Sequence, residues 1–150
     1  MRVNIRVAAI MFHNNKLVTT RMKKGNSIYY VLPGGGVEDR ETIYDALKRE
    51  LNEELGIKLI KFKLAYIREL NIKDKGRGIE FYFYVDEYEG EIKKGFDPEV
   101  KESSFLDIEF IGLDELQNFI VYPEKLVSLL KNDKEKNFEE IKHLGLYDYP

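Results

Sequence analysis

Residues 42–56 constrain the fold more than any other stretch of this chain. Thr42 is a good helix N-cap and Gly56 the usual C-terminal stop. Between them, at 100° per residue, Ile43, Leu47, Leu51 and Leu55 form one apolar stripe that must face a core. Glu54 projects within the arc of that stripe, with Glu50 and Glu53 immediately beside it. Three carboxylates at i, i+3 and i+4 repel one another, and they sit in the half of the helix where the macrodipole disfavours negative charge. A solvated face laced with salt bridges is the usual explanation of a glutamate-rich helix. Here the pairing falls short, because Arg49 reaches Asp45 and Glu53 at i±4 while Glu50 and Glu54 have no basic residue four positions away within the helix. A hard divalent cation, which takes carboxylate oxygens, would turn the repulsion into attraction. Just upstream, Gly34, Gly35 and Gly36 let the backbone approach a ligand and can aim N–H groups at phosphate oxygens.

The remainder reads mostly as strands. Residues 2–10 favour a strand, and Asn14 with Asn15 makes a hairpin turn into a second strand over 16–21. A polar loop over 22–27 precedes an apolar, aromatic run over 28–32, and the glycines that follow Pro33 are expected to break any strand. Two β-rich stretches, 59–70 and 79–88, flank the turn signal of Asp74, Lys75 and Gly76 and read as paired strands. After a loop around Phe96, Asp97 and Pro98, residues 105–111 read as a strand, Pro123 starts a helix of about two turns, and 135–144 reads as a last amphipathic helix ending at Gly145. Strands on both sides of one helix, with helices at the end, predict an α+β fold in which a mixed sheet packs between helices. A length of 150 residues predicts one domain over 1–150. With no cysteine and two separated histidines, a thiolate or histidine-rich metal site is excluded, so any metal is held mostly by oxygen. The N-terminus shows no signal-peptide pattern and no apolar run approaches a spanning length, which predicts a cytoplasmic protein without a membrane contact. A net charge of -3 argues against a general nucleic-acid binder but leaves an RNA 5′ end open.

The acidic helix and its loop also spell a known pattern: Gly35, five residues, Glu41, seven residues, then Arg49, Glu50, Leu51, Asn52, Glu53, Glu54, Leu55, Gly56 and Ile57. It resembles the complete box of the Nudix hydrolases. Seven fixed identities at about one in fifteen each coincide by chance on the order of once in 10⁸, so composition alone does not produce it. Arg40 stands where many relatives carry glycine, at a free position of the box. The order of elements from residue 2 to about 131 also looks like that family. The resemblance implies a Nudix-type α/β/α sandwich and hydrolysis of a pyrophosphate bond, by attack of water on phosphorus, with Mg2+ or Mn2+ as cofactor. By residue match, Glu50, Glu53 and Glu54 are the metal ligands, Glu41 assists the metal shell or buttresses the loop, and Arg49 orients the carboxylates. Glu53 is the first choice of general base, with Glu99 and Glu102 as alternatives on a later loop. Gly34, Gly35, Gly36 and Arg21 are expected at the substrate phosphates. Tyr29, Tyr30, Phe81 and Phe83 are stacking candidates, although core packing is the better reading of aromatics on alternating strands.

Substrate clues are thinner. Where ADP-ribose hydrolases of the family often carry proline, 16 residues beyond the box, stands Lys73, and no tyrosine follows in the next two positions. These absences tilt toward a nucleoside triphosphate, oxidised or otherwise non-standard, hydrolysed to the monophosphate and pyrophosphate. ADP-ribose or a nucleotide sugar is the alternative, as is a non-catalytic nucleotide-sensing domain, although sensing domains carry degenerate boxes and this one is intact. An RNA 5′ end would need a basic path, for which Lys23 with Lys24, and Lys73 through Arg77, are the local choices. The strand over 81–88 and the terminal Tyr147, Asp148, Tyr149 and Pro150 are candidate contacts for a homodimer.

Overall fold

The computed structural model describes residues 2–93 and 105–149. Two five-stranded sheets and two α-helices make up the described part. The first strand, β1 (Val3–Ile10), alternates sharply: Val7 and Ala9 face one side and Ala8 and Ile10 the other, which is the pattern of a strand covered on both faces. After Met11 the chain leaves for the second sheet. Strand β2 (Phe12–His13) and β3 (Lys16–Lys24) are joined by Asn14 and Asn15, both with positive φ, as a tight hairpin turn demands. The hairpin partner of β3 is therefore this two-residue strand. The longer first strand, expected in that role, pairs in parallel with β7 instead.

Strand β3 runs on to Lys24 and turns directly into β4 (Ser27–Val31), so the expected loop over 22–27 shrinks to a two-residue turn at Gly25 and Asn26. The glycines break nothing: Gly34–Gly36 is itself strand β5, antiparallel to β1 in the register Arg6 to Gly36, Val7 to Gly35 and Ala8 to Gly34. Close approach is the reason. A Cβ on Gly34 would overlap the Val7 carbonyl, so only glycine brings this edge against β1.

Helix α1 (Ile43–Leu55) is capped as expected, with Thr42 Oγ1 accepting from the Asp45 N–H at 3.0 Å and Gly56 closing it at φ 71°. Its buried Ala46, Leu47, Leu51 and Leu55 pack on Val7, Ala9, Phe83 and Val85. Strands β6 (Lys58–Ile72) and β7 (Gly76–Glu89) pair antiparallel around the expected turn. Strand β8 (Phe105–Gly112) joins β3, a short 3-10 helix covers Leu113–Asn118, and β9 (Val121–Tyr122) pairs with β4. Helix α2 (Glu124–Glu135) lasts 12 residues, longer than the two turns expected. Its Leu126 and Leu130 bury the other face of the first sheet with Ile10, Tyr66 and Tyr82. The first sheet, ordered β10-β6-β7-β1-β5, is thus sandwiched between α1 and α2. No described helix is long and apolar enough to cross a membrane.

The expected helix over 135–144 is absent. Asn137 and Phe138 take left-handed φ of 54° and 49°, the Phe138 N–H closes on the Asp133 carbonyl at 2.8 Å, and β10 (Lys142–Tyr149) then adds in parallel to β6. Phe138 is buried and stacks on Tyr84 at 4.5 Å, which ends the helix. Asp133, buried beneath this turn, accepts from the Tyr66 hydroxyl at 2.5 Å and from Lys142 Nζ at 2.6 Å. Burial alone would raise its pKa, but the hydrogen bonds from Lys142 and Tyr66 and the charges of Lys142 and Lys136 outweigh it and leave Asp133 below its ordinary value.

Candidate active site

Strand β5 lies against helix α1, and the strand's backbone, the side chains of α1 and Glu41 from the loop between them build the site. The stripe of Leu47, Leu51 and Leu55 fixes the rotation of α1, and that rotation turns Glu50 and Glu54 inward, 1% and 7% exposed. The Glu50 carboxylate lies directly over Gly35, so that a Cβ there would fall among its carboxyl atoms. One residue earlier, the Gly34 N–H donates to Glu54 Oε2 at 3.1 Å.

Arg49 organises the rest. Its Nε donates to Glu41 Oε2 at 2.8 Å and its Nη2 to Glu41 Oε1 at 2.9 Å, a two-pronged pair across the loop. Nη2 also donates to the Gly36 carbonyl at 2.9 Å, tying the helix to β5. Nη1 reaches Glu50 Oε1 at 2.8 Å, Glu53 Oε2 at 3.4 Å and, more loosely, Glu38 Oε1 at 3.8 Å. The Glu50 partner that helix spacing did not offer is its immediate neighbour, whose long side chain folds back along the loop. Hydrogen bonding from Arg49 holds the Glu41 carboxyl below the usual range, and the same pair, with Glu50, holds the Arg49 guanidinium firmly protonated.

One guanidinium thus contacts four carboxylates beside a glycine strand. That donor set is all oxygen and suits a hard dication. In this arrangement the carboxylates meet on Arg49, and among the described residues no three acidic or histidine side chains converge on one metal position.

A family description fits this geometry. The NUDIX domain model matches residues 3–132. The chain belongs to the Nudix hydrolase family. It is 34% identical over 107 residues to an ADP-ribose pyrophosphatase of Methanocaldococcus jannaschii, an alignment covering 69% of this chain and 62% of that relative. An 8-oxo-dGTP diphosphatase of Buchnera aphidicola is 32% identical over 95 residues, covering 60% of this chain and 70% of the relative. The chain therefore spans somewhat under two thirds of the length of the first of these. In fold it matches the solution structure of the E. coli ORF135 protein, with a TM-score of 0.74 at 18% identity over 93% of this chain and 96% of that one.

Within this Nudix frame the expected residues divide. Glu41, Arg49, Glu50, Glu53, Glu54 and the three glycines come together. Arg21 lies in the second sheet, opposite Tyr30 and Asp107, and is outside the Arg49 cluster. Glu99 and Glu102 lie outside the described residues. Of the aromatics, Tyr30 and Phe83 are core and Phe81 packs against it, while Tyr29 is half-buried with its ring 5.9 Å from that of exposed Tyr122. Sequence reasoning did not anticipate Glu38, whose backbone N–H donates to Glu41 Oε1 at 3.1 Å. Its only signal was acidity within the loop.

Proposed function

We propose that residues 1–150 form a single Nudix domain that hydrolyses the pyrophosphate bond of a nucleoside diphosphate derivative, with Mg2+ or Mn2+ as cofactor. The carrying observation is the pairing of a glycine strand with three glutamates whose placement Arg49 and the strand's own N–H and carbonyl groups control. Glu50, Glu53 and Glu54 would hold the cation, which when bound supplies charge neutralisation at the diphosphate and a more acidic water. Arg49 spaces Glu50 and Glu53 and remains cationic throughout, and Glu41 fixes Arg49. Glu53 is the most exposed of the three, at 33% for its side chain, which supports it as the group that takes the proton from water. The water oxygen bonds to phosphorus, the bridging P–O bond breaks, and the departing phosphate leaves with the electron pair. A general base on the loop carrying Glu99 and Glu102 is the alternative.

A nucleoside triphosphate is the substrate we favour, supported by the similarity to the 8-oxo-dGTP diphosphatase. ADP-ribose is the second reading, favoured by the 34% identity to the Methanocaldococcus enzyme. The test is product analysis over nucleoside triphosphates, nucleotide sugars, ADP-ribose and dinucleoside polyphosphates, with and without Mg2+ or Mn2+, beside a Glu53→Gln, Glu54→Gln double variant. Metal-dependent cleavage that the variant loses by about 10³-fold or more is expected. Intact substrates bound by folded protein would instead make this a nucleotide-sensing domain.

A further inference from the structure

Strand β10 changes register half-way along. Opposite β6 it pairs Lys142 with Tyr66 and His143 with Ile67, then resumes with Leu146 at Glu69 and Tyr147 at Leu70. Leu144 and Gly145 thus stand together across from Arg68 alone, a β-bulge that Gly145 closes at φ 93°, where glycine is unstrained. Successive side chains of a strand point to opposite faces, so the extra residue decides which face everything after it presents. With the bulge in place, Tyr147 and Tyr149 share a face with Tyr66 and Arg68, and the Tyr147 ring lies 5.6 Å from Arg68 Cζ. Without it, both tyrosines would turn to the α1 side of the sheet.

Two side chains hold this bulge. Lys125 of α2 donates from Nζ to the Leu144 carbonyl at 2.7 Å, above a Leu144 side chain buried with Leu126 and Leu130. The other is His143. The Gly145 N–H donates to His143 Nδ1 at 3.1 Å, so that nitrogen carries no hydrogen. Nε2, 2.9 Å from Glu69 Oε2, therefore carries the hydrogen of the neutral ring and donates to the carboxylate. A protonated ring has a hydrogen on Nδ1 as well. It would face the Gly145 N–H donor to donor, while the contact with Glu69 would survive and gain charge.

We propose that His143 is a pH-sensitive latch on strand β10, which when neutral holds the bulge at Gly145, and with it the face that residues 146–149 present, and when protonated lets Gly145 go. The latch is independent of the hydrolytic reading. Its side chain is 52% exposed, so solvent protons reach the ring. Among the described residues the charged groups around it are Glu69 on β6, Arg77 on β7, whose Nη2 donates to Glu69 Oε1 at 3.2 Å, and Lys125 on α2. On β10 itself Lys142 is turned to Asp133 at 2.6 Å and Asp148 accepts from Asn71 at 3.0 Å. Asp133 is held below its ordinary value, against the effect of burial, by Lys142 and Tyr66, so the tie at the start of the strand stays ionised while the imidazole titrates. The bond lost at Gly145 is offset by the stronger pair with Glu69, which keeps the change local to β10. Strand β10 also lies beyond residues 3–132, the part matched by the family description, so the latch is a feature of this chain rather than of the shared domain.

The test follows the wild-type chain from about pH 8 to about pH 5, the range in which imidazoles change charge. Nitrogen chemical shifts of the ring identify the tautomer, and hydrogen exchange, corrected for the intrinsic rate, reads the protection of the Gly145 amide. The expected result is a neutral ring with its hydrogen on Nε2 and a Gly145 protection factor that falls about tenfold as His143 takes up its proton. The Tyr147 ring resonances should move with the same midpoint. His143→Asn, whose Oδ1 stands in for Nδ1 and does not titrate, should keep Gly145 protected at every pH, and His143→Ala should lose the protection throughout. A neutral ring with its hydrogen on Nδ1, Gly145 protection that stays level across the His143 titration, or wild-type protection in His143→Ala overturns the latch.

Discussion

Three consecutive glycines offer a graded test of how the site is built, because the same added methyl meets a different environment at each. At Gly36 the Cβ meets nothing within 4 Å. At Gly35 it falls among Cδ and both oxygens of Glu50, far inside the ~3.5–4.0 Å of an ordinary carbon contact. At Gly34 it overlaps the Val7 carbonyl and Ala8 Cα, which are backbone. None of the three has a left-handed φ, so contact rather than conformation decides. Gly36→Ala should leave stability within about 1 kcal/mol, with a small gain allowed by the stiffer unfolded chain. Gly35→Ala forces the Glu50 carboxylate aside and breaks its 2.8 Å contact with Arg49. Removing one partner of a buried pair costs about 3–5 kcal/mol, but here the carboxylate is displaced rather than lost and Arg49 keeps Glu41, so roughly 1–3 kcal/mol is expected. For 150 residues that lowers Tm by about 3–10 °C. A misplacement of order 1 Å at a reacting site costs about 10²-fold in kcat. Gly34→Ala must lift β5 off β1 and should be the least stable of the three. Thermal unfolding and steady-state hydrolysis at saturating Mg2+ read both quantities. Equal damage from Gly36→Ala and Gly35→Ala, or full activity in Gly35→Ala, would refute the placement of Glu50 against this strand.

Leu51→Ala, at a fully buried position of α1, should cost about 3 kcal/mol in denaturant unfolding, and a loss under 1 kcal/mol would mean that the stripe is not core. Asp133→Asn should lower Tm by several degrees and expose the β10 amides to hydrogen exchange, because it removes the ion pair with Lys142; unchanged β10 protection would sink that link. Glu41 and Asp133 both have depressed folded-state pKa values, so their contribution is present above the unfolded carboxylate range and is lost as pH falls through the folded values. Tm should therefore hold level from pH 7 to about 5 and fall below about 4, with the fall shallower in Asp133→Asn; a steeper fall in the variant would contradict the sign. Arg49→Lys, which keeps the charge but not the fork that grips Glu41, should lower kcat by at least about tenfold while far-UV circular dichroism stays the same.

What the chain fixed locally, it announced. The rotation of α1 follows from leucines at a spacing of four, its ends from Thr42 and Gly56, and the inward turn of Glu50 and Glu54 from that rotation, so most of the site could be read off 23 residues. The β6–β7 pair was equally plain, since its turn and its β-rich flanks are neighbours in sequence. What failed was whatever depended on a distant partner. The glycines became a strand because β1 lies beside them, a fact no local propensity carries. Residues 135–144 present Phe138, Ile141 and Leu144 at helical spacing, yet the open edge of β6 and a pocket beside Tyr84 take them as a turn and a strand. Glu50 found its cation in adjacent Arg49 only once β5 and Glu41 bent that side chain back along the loop. Short-range geometry is written in residue spacing. Edges, buried pockets and shared counter-charges exist only after the sheet has formed, and so the tertiary structure decided them.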